Sequence, residues 1–141
     1  MTEALRLARA EFPGRLEVIG SRIRKDAEHF SRPEQVYGAL RWLATAYLDS
    51  RTGTAPCPDL DGSCRKACGF RYVAHQSEVT MGQFASDYEL QRRGRTVQLR
   101  EHLAFGNAHD PRHTIRIAWF VEGKVVVVGF VGPHQTTRAS N

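Results

Sequence analysis

Histidine and arginine side chains are concentrated in one ten-residue stretch, NAHDPRHTIR, at positions 107–116. Histidine can take up or release a proton near neutral pH, and arginine presents a planar fork that matches a phosphate group. Pro111 fixes its own φ and disfavours a helical backbone for Asp110, which indicates a well-defined loop. The residues of this stretch with side chains suited to chemistry are His109, Arg112, His113 and Arg116.

A predicted hairpin brings a further histidine towards this stretch. The segments TIRIAWFV and KVVVVGFV have the β-branched and aromatic composition of strands, and Glu122–Gly123 between them is typical of a two-residue turn. Pairing about that turn sets Arg116 opposite Gly129. We therefore expect His134, which follows the second strand, to lie at the same end of the sheet as His113.

Two histidines and an arginine in one cluster are the groups that metal-independent RNA cleavage needs. One histidine would take the proton of the 2′-hydroxyl, another would protonate the 5′-oxygen, and arginine would stabilise the charge on phosphorus. Glycines 106, 129 and 132 would let a ligand approach the backbone. The alternatives are a metal site formed by these histidines with Asp110, and a structural or simple phosphate-binding turn. The candidate catalytic residues are His102, His109, His113, His134, Arg112 and Arg116.

The chain is basic, with 20 Lys and Arg against 15 Asp and Glu and a net charge of +5. The excess of positive charge is concentrated after residue 50, where there are 12 basic and 8 acidic side chains. A basic surface favours a polyanion partner, for which we predict RNA, and the alternative is a solvated face without a partner. The residues predicted to contact RNA are Arg92, Arg93, Arg95, Arg100, Thr136 and Thr137.

Three cysteines precede a histidine with the spacing C-x6-C-x3-C-x6-H. Three thiolates and an imidazole are the ligand set of one type of tetrahedral zinc site. The alternative is a set of free thiols, with Cys68 buried as a small hydrophobic residue. No cofactor other than this zinc is expected, and the odd number of cysteines fits a reducing compartment better than a disulfide framework. The predicted ligands are Cys57, Cys64, Cys68 and His75.

The elements that must position these residues are helices followed by strands. The stretch SRPEQVYGALRWLATAYL has apolar residues at helical spacing, and Ser31 at its start is expected to cap the helix. Residues 51–68 are rich in Gly, Pro, Ser, Thr and Asp, which indicates a loop, and residues 69–135 are rich in strand patterns. We predict a single α+β domain over residues 1–141, with N-terminal helices (1–50) packed on one face of a C-terminal antiparallel sheet.

The C-terminal segment TIRIAWFVEGKVVVVGFVGPHQTTR, residues 114–138, resembles the end of RelE/HigB-type bacterial toxins, which are small basic ribonucleases that cut messenger RNA, often on the ribosome. The resemblance implies that Arg116 stands for the strand arginine of that family and His134 for the catalytic residue of its tail, with Gln135 and Thr137 beside it. The chain departs from the family in its length, its cysteine segment and the stretch HLAFGNAHDPRH. Its C-terminal pattern also resembles that of uncharacterised bacterial proteins.

These features predict a small RNA-binding protein with metal-independent ribonuclease activity, of toxin or defence-effector type. The alternative is a non-catalytic nucleic-acid-binding or regulatory partner subunit, with or without a structural zinc. No apolar run is long enough to span a membrane and charges interrupt the N-terminal segment, so a cytoplasmic protein is expected. RNA is the expected partner, and an inhibitory or partner protein is a second one.

Overall fold

The computed structural model describes residues 1–75, 85–106 and 110–133, and they form the α+β fold that the sequence predicts. Its helices are α1 (Thr2–Glu11), α2 (Pro33–Trp42), α3 (Leu48–Arg51), α4 (Leu60–Cys68) and α5 (Ala85–Tyr88), with a π-helical turn (Leu43–Tyr47) joining α2 to α3 and short 3-10 turns at Gly20–Arg22 and Lys25–His29. Its strands are β1 (Leu16–Val18), β2 (Arg71–Val73), β3 (Glu89–Arg92), β4 (Arg95–Gln98), β5 (Glu101–Phe105), β6 (Ile115–Glu122) and β7 (Val125–Gly132). Within these ranges, no helix is both long enough and apolar enough to cross a membrane.

Five strands form the main sheet in the order β1-β7-β6-β5-β2, and β3 pairs with β4 in a separate hairpin. Neighbouring strands of the main sheet are antiparallel except β1, which runs parallel to β7. The prediction of a purely C-terminal, antiparallel sheet is therefore wrong at one edge, where an N-terminal strand joins. Leu16 and Val18 of that strand are buried while Glu17 is exposed, the alternation of a half-buried strand.

The β6–β7 hairpin turns one residue later along the chain than predicted. Glu122 pairs with Val125, so the two turn residues are Gly123 and Lys124. Gly123 has a φ of 62°, and a glycine with positive φ at the first central position is the requirement of a type II′ turn. The strand pairing that the sequence predicts is therefore shifted from the turn onwards.

A bulge in the same hairpin shifts the pairing again. Between the pairs formed by Ala118 and Trp119, the partner strand contains one extra residue, Gly129. Arg116 consequently lies opposite Gly132, and its predicted pairing with Gly129 is wrong. Arg116 points away from the apolar residues on either side of it, because side chains alternate along the strand.

The two faces of the main sheet are covered by different parts of the chain. Helices α1 to α4 pack on one face, where Trp119, Ile117 and Ile115 enter the larger core. The second face is covered by residues 85–99, which comprise α5, β3 and β4 and which we call the hairpin arm. A smaller apolar cluster of Leu99, Ala118 and Phe130, with Leu90 and Phe120 packed against it, holds the arm on the sheet.

Two glycines expected to admit a ligand instead admit side chains of the protein itself. A Cβ atom on Gly129 would lie 2.7 Å from Leu90 Cδ2 and 3.0 Å from Leu99 Cδ2. A Cβ atom on Gly132 would lie 2.8 Å from Arg24 Cγ. Both glycines therefore allow close packing onto β7, and the interpretation of these positions as openings for a ligand is wrong.

Part of the segment predicted as a loop at residues 51–68 is the helix α4. The Asp59 side chain accepts a hydrogen bond from the backbone N–H of Gly62 at 2.9 Å and caps the helix, and Gly69 ends it with a left-handed φ of 79°. Cys64 and Cys68 lie one turn apart and are buried against α2. The composition of this segment favours a loop, but its capping residues and its buried face determine a helix.

Candidate functional site

One end of the main sheet carries arginines on the face that the hairpin arm covers. Arg71, Ala104, Arg116 and Gly132 follow one another in register across β2, β5, β6 and β7. Because side chains alternate along a strand, Arg71 and Arg116 project to the face opposite Ile115. This end of the sheet, on the hairpin-arm face, is the candidate site.

Arg116 is the central residue of the candidate site. Its side chain is half-buried, and no hydrogen bond or ion pair reaches its guanidinium from any part of the chain that the structure describes. Burial lowers the pKa of Arg116, the nearby Tyr88 side chain opposes this shift, and the positive charge of Arg71 adds to it. A half-buried cation without a counter-ion is costly, so this position favours an anionic ligand.

His102 lies on the same face as Arg116 but is buried, with 4% of its surface exposed. Burial, followed by the charges of Arg116 and Arg71, lowers the pKa of His102 to about 3. Its imidazole is therefore neutral at pH 7 and cannot serve there as a proton donor. His102 is therefore unsuited to be one of the two histidines of an acid–base pair.

The turn before β6 contains an ion pair of its own. The Arg112 guanidinium donates hydrogen bonds to the Asp110 carboxylate, the shortest at 2.9 Å, and these bonds lower the pKa of Asp110 to about 2. Arg112 thus already has an anionic partner, and both side chains are at the surface. His113 is exposed, and its backbone N–H donates to the Asp110 carbonyl at 3.0 Å.

Ser31 and Gly106 contact the backbone of this turn at Arg112 and His113. The backbone N–H and the hydroxyl of Ser31 both donate to the Arg112 carbonyl, at 3.0 and 2.8 Å. The prediction that Ser31 caps α2 is therefore wrong: the cap position is Arg32, which makes no side-chain cap hydrogen bond. Gly106 has a φ of 76° and lies directly against the backbone carbonyl of His113.

The last described residues of β7 return to the same end of the sheet. The Thr114 hydroxyl donates to the carbonyl of Pro133 at 3.2 Å, which holds the end of the strand beside the start of β6. Four of the predicted site residues, His109, His134, Thr136 and Thr137, lie outside the described residues. The predicted approach of His134 to His113 therefore stays a prediction.

The predicted RNA-contacting arginines differ in how strongly acidic residues neutralise them. Arg92 bridges Glu17 at 2.8 Å and Glu122 at 2.9 Å, and only 14% of its side chain is exposed. Arg93 lies 3.4 Å from Glu122 but is otherwise exposed. Exposed Arg100 donates to the Gln98 amide at 2.6 Å, and Arg95 is exposed. Arg92 therefore fastens the hairpin arm to the sheet, and contact with RNA stays a prediction for these arginines.

The four predicted zinc ligands are all described, and the fold does not bring them together. Cys64 and Cys68 are adjacent, with 3.7 Å between their sulfur atoms. Cys57 lies before the start of α4, where its thiol points to the Asp59 carbonyl at 3.7 Å, and His75 is exposed beyond β2. In the three described ranges, no three His, Cys, Asp or Glu side chains are grouped as a metal site would require.

Glu101, which was not predicted from the sequence, joins the helices to the sheet through its carboxylate. It accepts hydrogen bonds from the Tyr47 hydroxyl at 2.8 Å, the Tyr72 hydroxyl at 2.6 Å and Arg51 Nη1 at 2.8 Å. Burial is the main cause that raises the pKa of both tyrosines. No local sequence pattern marks Glu101, because its partners come from three separate elements.

We expect Glu101→Gln to destabilise the fold by roughly 2–3 kcal/mol, because the amide replaces a charged acceptor of three donors with a neutral, partly mismatched one. Urea unfolding followed by tryptophan fluorescence would measure the loss. Glu3→Gln is the matched control, since Glu3 forms an exposed ion pair with Arg6 and should leave the unfolding midpoint unchanged. Equal effects of the two changes would contradict the role assigned to Glu101.

No protein-family model, curated protein or solved structure matches this chain. The resemblance of its C-terminal hairpin to RelE/HigB-type toxins therefore stays a prediction. What the chain does must be inferred from its own residues.

Proposed function

We propose that this protein binds RNA at the candidate site and cleaves it without a metal ion. The observation that carries the proposal is Arg116, a half-buried guanidinium with no counter-ion among the described residues, placed beside Arg71 and a neutral imidazole. A phosphodiester would supply the missing negative charge, and the planar guanidinium fork matches its two non-bridging oxygens. An RNA target would place the activity in the cytoplasm.

The proposed cleavage uses two histidines and Arg116. One histidine removes the proton of the 2′-hydroxyl, and the 2′-oxygen then attacks the phosphorus atom. The bond from phosphorus to the 5′-oxygen breaks, and the second histidine gives a proton to that oxygen. Arg116 stabilises the charge that builds up on the phosphoryl oxygens, and the products are a 2′,3′-cyclic phosphate and a free 5′-hydroxyl.

The proposed acid–base pair is His113 and His134. His113 is exposed at the end of the sheet that carries Arg116, and Pro133, the residue before His134 in the sequence, is hydrogen-bonded beside Thr114 at that same end. Chain connectivity thus supports this pair over one that includes His102, which is buried and neutral. A toxin or defence role would follow from unrestrained cleavage of cellular RNA, with an inhibitory protein as the expected partner.

A cleavage assay in EDTA tests this function. We expect the wild type to cut a single-stranded RNA into products with 2′,3′-cyclic phosphate ends, and to leave a matched oligonucleotide with 2′-deoxyribose intact. His134→Ala should abolish cleavage without changing the thermal midpoint, and should relieve any growth defect on expression. Cleavage by His134→Ala at the wild-type rate would contradict the proposed mechanism.

The second candidate function is RNA binding without turnover. The neutral, buried state of His102 favours it, because the described histidine nearest Arg116 in the sheet register is unavailable for proton transfer. This alternative predicts binding that weakens steeply with salt, together with intact RNA after prolonged incubation. Product analysis therefore separates the two functions directly.

A further inference from the structure

Two neighbouring thiols lie in the larger core, remote from any role in the proposed RNA chemistry. Cys64 and Cys68 occupy successive turns of one face of α4, and their sulfur atoms are 3.7 Å apart. The Cys68 sulfur also lies 3.3 Å from the Cys64 carbonyl, to which its thiol can donate. Among the described residues, no third His, Cys, Asp or Glu side chain lies beside them as a metal site would require.

We propose that Cys64 and Cys68 form an oxidation site that peroxide converts to a disulfide within α4. In a helix, residues four apart have Cα atoms about 6 Å from each other, which lies inside the usual range for disulfides. The sulfur atoms must move from 3.7 Å to about 2.0 Å. Cys68 is the last residue of the helix and Gly69 follows it in a left-handed conformation, so only the final turn has to open.

The two thiols have different parts in the reaction. Cys68 keeps 9% of its surface exposed, whereas Cys64 has none, so peroxide reaches Cys68 first. The hydrogen bond between the two sulfurs, followed by burial, raises the pKa of the Cys64 thiol, and the same hydrogen bond lowers that of Cys68. Cys68 is thus the nucleophile and Cys64 the resolving thiol.

The reaction balances with hydrogen peroxide as the oxidant. The Cys68 thiolate attacks one peroxide oxygen, the O–O bond breaks, and the departing hydroxide takes a proton to become water. Cys64 sulfur then attacks the sulfur of the Cys68 sulfenic acid, the S–O bond breaks, and a second water leaves with the Cys64 proton. The two cysteines lose two protons and two electrons, and peroxide is reduced to two waters.

Peptide mapping of the full chain after treatment with hydrogen peroxide tests the proposal. Trypsin cuts after Arg65 and Lys66, so a disulfide between the pair would link fragment 52–65 to fragment 67–71. Cys57 lies in the first fragment too, and Cys57→Ser therefore serves as the control. We expect the linked fragments in the wild type and in Cys57→Ser, and their separation after reduction.

A second variant gives the proposal a readout other than the cross-link. In Cys64→Ala, we expect no linked fragments and a sulfenic acid at Cys68 that dimedone traps, because the resolving thiol is gone. Loss of the link in Cys57→Ser, a link between two chains, or unlinked fragments in the wild type would each overturn the proposal. None of these outcomes depends on RNA binding.

Discussion

The stability of the protein should fall as the pH drops below 6.5, with a slope that rises towards about 1.4 kcal/mol for each pH unit, because His102 is neutral in the folded state. Its folded pKa, about 3, lies below the unfolded value near 6.5, so between these limits the unfolded chain binds the extra proton. The stabilising contribution is complete above pH 6.5 and is lost as the pH falls towards 3. The full loss is on the order of 4 kcal/mol, which would remove much of the stability of a domain of this size.

Urea titrations at closely spaced pH values between 6.5 and 4.5 would isolate this effect. The carboxylates with lowered pKa values, Glu17, Glu122 and Asp110 among them, begin to lose their contribution from about pH 5.5 downwards, so the slope between 6.5 and 5.5 is the part that belongs to His102. His102→Gln should flatten the slope, and exposed His75→Gln should leave it as it is. A wild-type slope near zero, or an unchanged slope in His102→Gln, would refute the assignment.

Gly106→Ala should destabilise the fold by about 3 kcal/mol or more, for two reasons that act together. Gly106 has a φ of 76°, which an alanine adopts only with strain, and a Cβ atom there would collide with the backbone carbonyl of His113. Neither neighbour can move freely, because Gly106 follows β5 directly and Thr114, after His113, is tied to Pro133. Urea denaturation measures the effect.

Gly94→Ala is the control that separates the two causes. Gly94 has a φ of 77° in the exposed turn between β3 and β4, and a Cβ atom there would meet nothing within 4 Å. We expect it to cost only the backbone strain, roughly 1–2 kcal/mol. If Gly106→Ala cost no more than Gly94→Ala, the close contact between Gly106 and the His113 carbonyl would be disproved.

The fold was predictable from sequence where periodicity and burial agree. The apolar spacing after Pro33 gives α2, and the two β-branched runs give β6 and β7, with Arg116 on the face away from the larger core. The parallel pairing of β1 with β7 was not predictable, because it joins segments more than a hundred residues apart. The shift in register was hidden as well, since a bulge at Gly129 leaves no unambiguous mark in a strand that is apolar on both faces.

The candidate site was predictable only in part, for a similar reason. The types and chain order of the residues pointed to Arg116 and to this end of the sheet. The burial that keeps His102 neutral depends on the cover provided by distant elements, and the pairing of Arg92 with Glu17 and Glu122 depends on where the hairpin arm docks. Local sequence patterns predict whether a segment is a helix or a strand. They do not predict which charged residues tertiary packing places beside it.

The central claim is that Arg116 binds an anionic ligand and does not stabilise the fold. Measuring both the RNA affinity and the free energy of unfolding of Arg116→Gln tests this claim most directly. We expect the affinity for single-stranded RNA to fall about tenfold or more, with a shallower dependence on salt, because one charged phosphate contact is lost. The free energy of unfolding should stay the same or rise, because the change removes a half-buried cation that has no counter-ion among the described residues. Arg41→Gln, an exposed arginine on α2 away from this end of the sheet, is the control. Wild-type RNA affinity in Arg116→Gln, or a large loss of its stability, would contradict the account.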